Sequence, residues 1–191
     1  MTDARSQGAV SSPPVEIPCQ WPIPEDSKAR VAFAEYYQQD FLGLTRFVMR
    51  LGATPHEAAD AAQSAFVLAF EQWESIRNPG AWLRTVAKRR IDALRSGVAR
   101  EQLAEQMPDL PGGRCPVEAV ELGEEEARVY EALSWLPTRQ REVMAWTLDG
   151  YRPQEIAQIM GITPEAARKN LERGRALLKQ ALLRPADGSG Q

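Results

Sequence analysis

Four cationic side chains, Arg168, Lys169, Arg173 and Arg175, fall within eight residues shortly after a Met-Gly-Ile-Thr-Pro connector, with Glu165 and Glu172 interleaved. Guanidinium and ammonium groups suit phosphate oxygens and the acceptor edge of guanine. They suggest binding rather than bond-making. At about 100° per residue, Glu165, Lys169, Glu172 and Arg173 share one helical face, flanked by Arg168 and Arg175. Lys169 and Arg173 are best placed for base edges, Arg168 and Arg175 for phosphates. The same spacing also describes a helical hairpin with a solvated charged face, so the elements around it must decide.

Other chemistry has little to work with. The chain holds one histidine, His56, and no glycine loop for phosphate or recognisable nucleophile motif. Cys19 and Cys115 lack a CxxC or His-spaced partner, which predicts reduced thiols and no zinc. We therefore expect no cofactor, no metal and no enzymatic activity. The start, MTDARSQGAVSSPP, lacks an apolar signal segment, and the longest apolar run, AFVLAF, is too short to span a bilayer. A cytoplasmic protein is expected. A net charge of −3 and a pI near 5.4 argue against a bulk nucleic-acid coat, but leave room for local basic patches.

Such patches exist. Residues 84–100 carry six basic side chains against Asp92, and residues 164–184 carry six against two acids. Residues 101–126 hold eight acids and one arginine, broken by Pro108, Pro111, Gly112, Gly113 and Pro116. This pattern fits a protein that touches one polyanion at two places.

Periodicity predicts an all-α chain. Tyr37, Phe41, Leu44, Val48 and Leu51 form one helical stripe, which Gly52 ends. Thr54-Pro55-His56-Glu57 reads as a capping box opening a helix with Ala58, Ala62, Ala65, Ala69 and Trp73 on one face. Asn78-Pro79 starts a third helix. Near the C-terminus, Pro153 opens a short helix, Gly161 supplies a positive φ, and Thr163-Pro164 caps the basic helix. Ala167, Leu171, Gly174 and Leu178 form its buried stripe, with small residues that permit a close crossing. The expected organisation is a disordered tail over 1–27, a helical domain over 28–96, a flexible acidic linker over 97–126, a second helical domain over 127–184 and a short tail over 185–191.

The two helical blocks together resemble a known family. DAAQSAFVLAFEQWESIRNPGAWLRTVAKRRIDALRS is similar to region two of bacterial RNA polymerase sigma factors, and LPTRQREVMAWTLDGYRPQEIAQIMGITPEAARKNLERGRALL to their region four. With no third-region domain between them, the chain resembles the extracytoplasmic-function group. That resemblance implies a factor that binds core RNA polymerase and promoter DNA and helps melt the −10 element. Asp60 and Gln63 would dock on the clamp helices of the largest subunit, and region four on the flap. The Ser75–Gly80 loop, with Arg77 and Asn78, would take a flipped base. Lys88, Arg89 and Arg95 would follow the −10 backbone. The opening basic helix would read the −35 element. An anti-sigma protein is a further implied partner. From the residues alone, Asp60 and Gln63 are equally solvated polar positions. Asn78 serves as a helix cap, with or without a role in binding, and Trp73 and Trp82 belong to the core or stack on bases. A stand-alone helix-turn-helix regulator, with the first block sensing or dimerising, is the alternative.

Overall fold

The computed structural model describes residues 27–96 and 123–183, so Cys19, Cys115 and most of the acidic linker lie outside the described residues. Every regular element among the described residues is helical. Helix α1 (Ser27–Arg50) ends at Gly52, whose φ of 90° requires glycine. Helix α2 (Pro55–Glu71) opens with the anticipated box. The Glu57 carboxylate accepts from Thr54 N at 2.8 Å, and Thr54 Oγ1 accepts from Glu57 N at 3.3 Å. The Thr54 hydroxyl also donates to that carboxylate at 2.9 Å, and the two bonds it accepts, from the Thr54 N–H first and then the hydroxyl, hold the Glu57 carboxyl below its usual value. A short 3₁₀ turn at Trp73–Ser75 leads to α3 (Pro79–Arg95), which Asn78 caps by accepting from Ala81 N at 3.2 Å.

These three helices form the first domain. Ala58, Ala62, Ala65 and Ala69 of α2 are fully buried, and their small side chains let α1 and α3 approach closely. Leu44, Val48, Leu83, Ala87 and Ile91 fill the space between. At the α1 end, Phe33 meets Phe70 and Trp73 edge-on, with centroids 5.0 and 5.1 Å apart.

Helices α4 (Glu124–Ser134), α5 (Thr138–Leu148), α6 (Pro153–Met160) and α7 (Pro164–Leu183) form the second domain. Glu124, Glu125 and Glu126, expected in the linker, are instead the first turn of α4. Acids there complement the positive helix N-terminus, a role that a charge count cannot tell from a solvated spacer. Leu133, Val143 and Ile156 are fully buried, and α5 crosses α7 where Gly174 faces Met144.

The two domains pack against each other. Phe47 of α1 and Trp146 of α5, at 0% and 1% exposure, meet edge to face with centroids 4.7 Å apart. An aromatic pair of this geometry adds about 0.5–1.5 kcal/mol beyond its area burial. Arg46 pairs with Glu126 at 3.4 Å, and the Leu51 carbonyl accepts from both Arg95 (3.1 Å) and Arg141 (3.3 Å).

Candidate nucleic-acid interface

The basic helix is positioned by a tight, fully capped turn. Gly161 adopts φ 63° and ψ 36°, and both its N–H and that of Ile162 return to the Ala157 carbonyl. Thr163 Oγ1 then accepts from Ala166 N at 3.1 Å, opening α7. At the entry to α6, Arg152 N donates to Glu155 Oε2 at 2.7 Å, so the backbone of Arg152 is satisfied without a hydroxyl cap. Ala167, Leu171 and Gly174 are buried against the preceding helices. That fixes the rotation of α7. Glu165, Arg168, Lys169, Glu172, Arg173 and Arg175 are all exposed, within an arc of about 160° on the opposite side. The structure therefore brings all six anticipated residues onto one free face.

The first domain holds a second feature. The loop Ser75–Asn78 and the first turns of α3 border an open cleft of about 590 Å³, lined by Arg77, Asn78, Trp82 and Arg89 among others. Arg77, Asn78 and Arg89 are exposed there. Asn78 spends one side-chain oxygen on the α3 cap and keeps its amide group. Trp82 borders the cleft while packing against the core, whereas Trp73 is held within the aromatic cluster. Across the seam, Ile159 of α6 also lines the cleft.

Lys88 and Arg95 face elsewhere. Lys88 lies 2.5 Å from Asp92 and 3.2 Å from Glu142 of α5, and Arg95 is bound to the Leu51 carbonyl. Helical geometry accounts for the split: Arg84, Lys88 and Arg95 share the side of α3 turned toward α5 and the end of α1. Arg89 is rotated about 100° from Lys88, onto the side of the cleft.

Sequence reasoning missed the charge cluster on that seam. Arg84, 7% exposed, donates to Asp40 at 2.8 and 2.9 Å, to the Gly80 carbonyl at 3.1 Å and to Asp149. Asp149 also takes Arg50 at 3.1 Å. Burial opposes the Arg84 charge, but Asp40 and Asp149 more than offset it and hold the guanidinium above its ordinary value. Lys88 is raised in the same manner, burial opposed by Asp92 and Glu142. Tyr36 beside the cluster is pushed up to about 12, by burial first and then by Asp40. The only local hint was the i, i+4 spacing of Arg84 and Lys88; their partners in the second domain, Asp149 and Glu142, lie more than 50 residues away.

Asp60 and Gln63 are exposed on α2, opposite the buried alanine stripe, where a partner can reach them. No group of three or more His, Cys, Asp or Glu is arranged to hold a metal among the described residues, and no helix there is long and apolar enough to cross a membrane.

This pairing of a capped helix-turn-helix with a cleft-bearing helical domain defines a class that comparison with known proteins identifies. The family model for sigma-70 region 2 matches residues 36–100, and that for sigma-70 region 4 matches residues 126–178. A probable RNA polymerase sigma factor of Xanthomonas campestris pv. campestris, RfaY, is 32% identical over 139 residues. The match covers 67% of this chain and 34% of the relative, so the chain spans about a third of that protein's length. Among solved structures, the sigma factor RpoE from Bartonella quintana, in complex with the anti-sigma factor NepR, superposes with a TM-score of 0.62 at 21% identity. That superposition covers 79% of this chain and 96% of the other. CnrH, in complex with the cytosolic domain of CnrY, gives 0.56 at 23% identity over 80% and 88%. The chain belongs to the sigma-70 family of RNA polymerase sigma factors.

Proposed function

We propose that this protein is a cytoplasmic, non-enzymatic initiation factor that binds core RNA polymerase and directs it to promoters with −35 and −10 elements. The observation that carries the reading is the exposed face of α7, whose rotation is fixed by buried Ala167, Leu171 and Gly174. Lys169 and Arg173 lie together on one side of that face and would address base edges in the major groove, with Arg168 and Arg175, on its other side, on phosphates and Glu165 and Glu172 between them tuning base preference. One well-placed bidentate pair is worth about 1–3 kcal/mol of discrimination. In the first domain, the cleft at Arg77 and Asn78 would receive an extruded base of the −10 element, with Arg89 beside it. Unstacking costs a few kcal/mol, which hydrogen bonds and Trp82 would return. Lys88 and Arg95 would join that surface only after leaving their present partners. Asp60 and Gln63 would meet the clamp helices of the largest polymerase subunit, and the second domain the flap. An anti-sigma protein is a proposed partner, because the structurally similar RpoE was solved in complex with an anti-sigma factor.

Run-off transcription with core polymerase on templates selected by the wild-type factor tests the reading. Promoter-dependent transcripts are expected, and Asp60→Ala/Gln63→Ala should lose core binding while keeping −35 affinity. A protein that yields no specific transcript, yet binds a palindromic operator alone as a dimer, would refute it.

A further inference from the structure

We propose that the aromatic surface formed by Phe33, Tyr37, Phe70 and Trp73 is a docking site for the chain's own proline-rich stretch, residues 15–24, which lies outside the described residues. The docking is intramolecular and stands apart from the initiation-factor reading above. Phe33 is the hub of the surface. Its ring centroid lies 5.0 Å from that of Phe70, 5.1 Å from Trp73 and 6.5 Å from Tyr37. Phe66, which touches Phe33 and Tyr37, is buried, but each of the four outer rings is only half-buried. A contiguous apolar surface left open in this way marks an interaction site. It also lies where α1 has little support. Between Lys28 and Glu35, every side chain except Ala29 and Phe33 is exposed. Phe33 is therefore the main apolar tie between the first two turns of α1 and the rest of the domain, and a helix end with so few contacts is marginal on its own.

The stretch VEIPCQWPIP has the chemistry to cover it. Val15, Ile17, Cys19, Trp21 and Ile23 alternate along it, with Glu16 as its single charge. Pro18, Pro22 and Pro24 favour an extended backbone, and restrict the residue before each of them as well, so less freedom is lost on docking. Proline lacks the N–H that a sheet ladder needs, and Pro-rich segments are instead held in grooves lined by aromatic rings. Residues 1–14 offer no rival, since their only large apolar side chains are Met1 and Val10. The reach also fits. Phe33 lies six residues beyond Ser27, about 9 Å along the axis of α1. An extended chain turning back at Glu25 and Asp26 covers about 3.1 Å per residue, which brings residues 22–24 level with Phe33. The seven residues before them add about 22 Å, enough to cross Phe70 and Trp73. A tether this short gives an effective concentration on the order of millimolar or more, which favours this segment over the same segment of a second copy. Docking would also steady the turn that follows, because the Trp73 carbonyl accepts from Ile76 N at 3.2 Å.

The test uses the full chain. Amide hydrogen exchange over residues 28–37 and 70–76 is compared between wild type, Trp21→Ala/Ile23→Ala and the control Val10→Ala/Ser12→Ala. The first variant should exchange at least fivefold faster in both segments, and the control should stay within twofold of wild type. In a Cys115→Ser background, a nitroxide on Cys19 should broaden the indole N–H resonance of Trp73. It should leave that of Trp135, which is 74% exposed in the second domain, unchanged. Mixing nitroxide-bearing protein with isotope-labelled, nitroxide-free protein should give no broadening. Broadening that arises only in the mixture would place a second copy on the rings and overturn the proposal. Unchanged exchange in Trp21→Ala/Ile23→Ala, or an unbroadened Trp73 signal, would overturn it as well, and each of these results would leave the initiation-factor reading standing.

Discussion

Replacing Gly174 by alanine sets two effects of opposite sign against each other. In an exposed helix interior the change stabilises by about 1 kcal/mol, because glycine gives up more backbone freedom. Here a Cβ would lie 2.8 Å from Met144 Cγ, 3.4 Å from its Sδ and 3.5 Å from the Gln140 carbonyl. Carbon atoms prefer about 3.5–4.0 Å, so Met144 must retreat by roughly 1 Å. Met144 is 4% exposed and Cγ is near the root of its side chain, so it cannot swing into solvent. Overpacking by one methyl group costs about 1–3 kcal/mol. The net expectation for Gly174→Ala is a loss of about 0–2 kcal/mol, and more for Gly174→Val. The assay is urea unfolding of the full chain, followed by helical dichroism. The partner test is the same change in a Met144→Ala background, where the vacated volume removes the clash. There Gly174→Ala should stabilise by up to about 1 kcal/mol. If alanine stabilises equally in both backgrounds, α5 and α7 do not cross at this glycine and the rotation assigned to the reading face is wrong.

Other expectations follow from the same geometry. Gly161→Ala introduces no clash, since nothing lies within 4 Å, but it forces a left-handed backbone, costing about 1–2 kcal/mol; Gly161→Asn should cost less, by urea unfolding. Lys169→Ala and Arg173→Ala should each weaken binding to a −35 duplex by about 1–3 kcal/mol, in titrations at fixed salt, with core binding intact. Arg168→Ala and Arg175→Ala should instead lower the slope of log K against log salt by about 0.9 each. The depressed Glu57 carboxyl contributes to the α2 cap while ionised, so that contribution is present above the ordinary carboxylate range and lost as pH falls through the folded value. Amides at the start of α2 should lose exchange protection only below the ordinary carboxylate range, and Glu57→Gln should remove the pH dependence.

What could be read from the chain was local. The α2 cap needs residues three apart, and the turn at Gly161 needs Thr163 and Pro164 beside it, so each announces itself within a few positions. The α7 face followed from one helical period, because its buried stripe is made of small or apolar residues alone. The α3 face did not. Its cations are spread around the helix, and which of them meet solvent depends on Asp40, Asp149 and Glu142, whose spacing from Arg84 and Lys88 carries no periodic mark. Phe47 and Trp146, 99 positions apart, gave no sign that they belong to one core. The acids at Glu124–Glu126 show the related ambiguity, since the same carboxylates suit a spacer and a helix N-terminus.

The carbonyl of Leu51 brings two cations to a single acceptor, Arg95 from its own domain and Arg141 from the other. Burial depresses Arg141, and the neighbouring charge of Arg95 depresses it further. The seam is thus unevenly fastened, with opposite charges locked at the Asp149 end and like charges crowded at the Leu51 end. Parting the two domains would leave Arg95 on the carbonyl and return Arg141 to water, so that end would give up one weak bond and shed a repulsion. Gly52 helps make the crowding possible, because any side chain there would lie 2.5 Å from the Arg141 guanidinium. The interface works like a door with a bolt on one edge and a compressed spring on the other, and a mutation at Gly52 would act on the spring without touching the bolt.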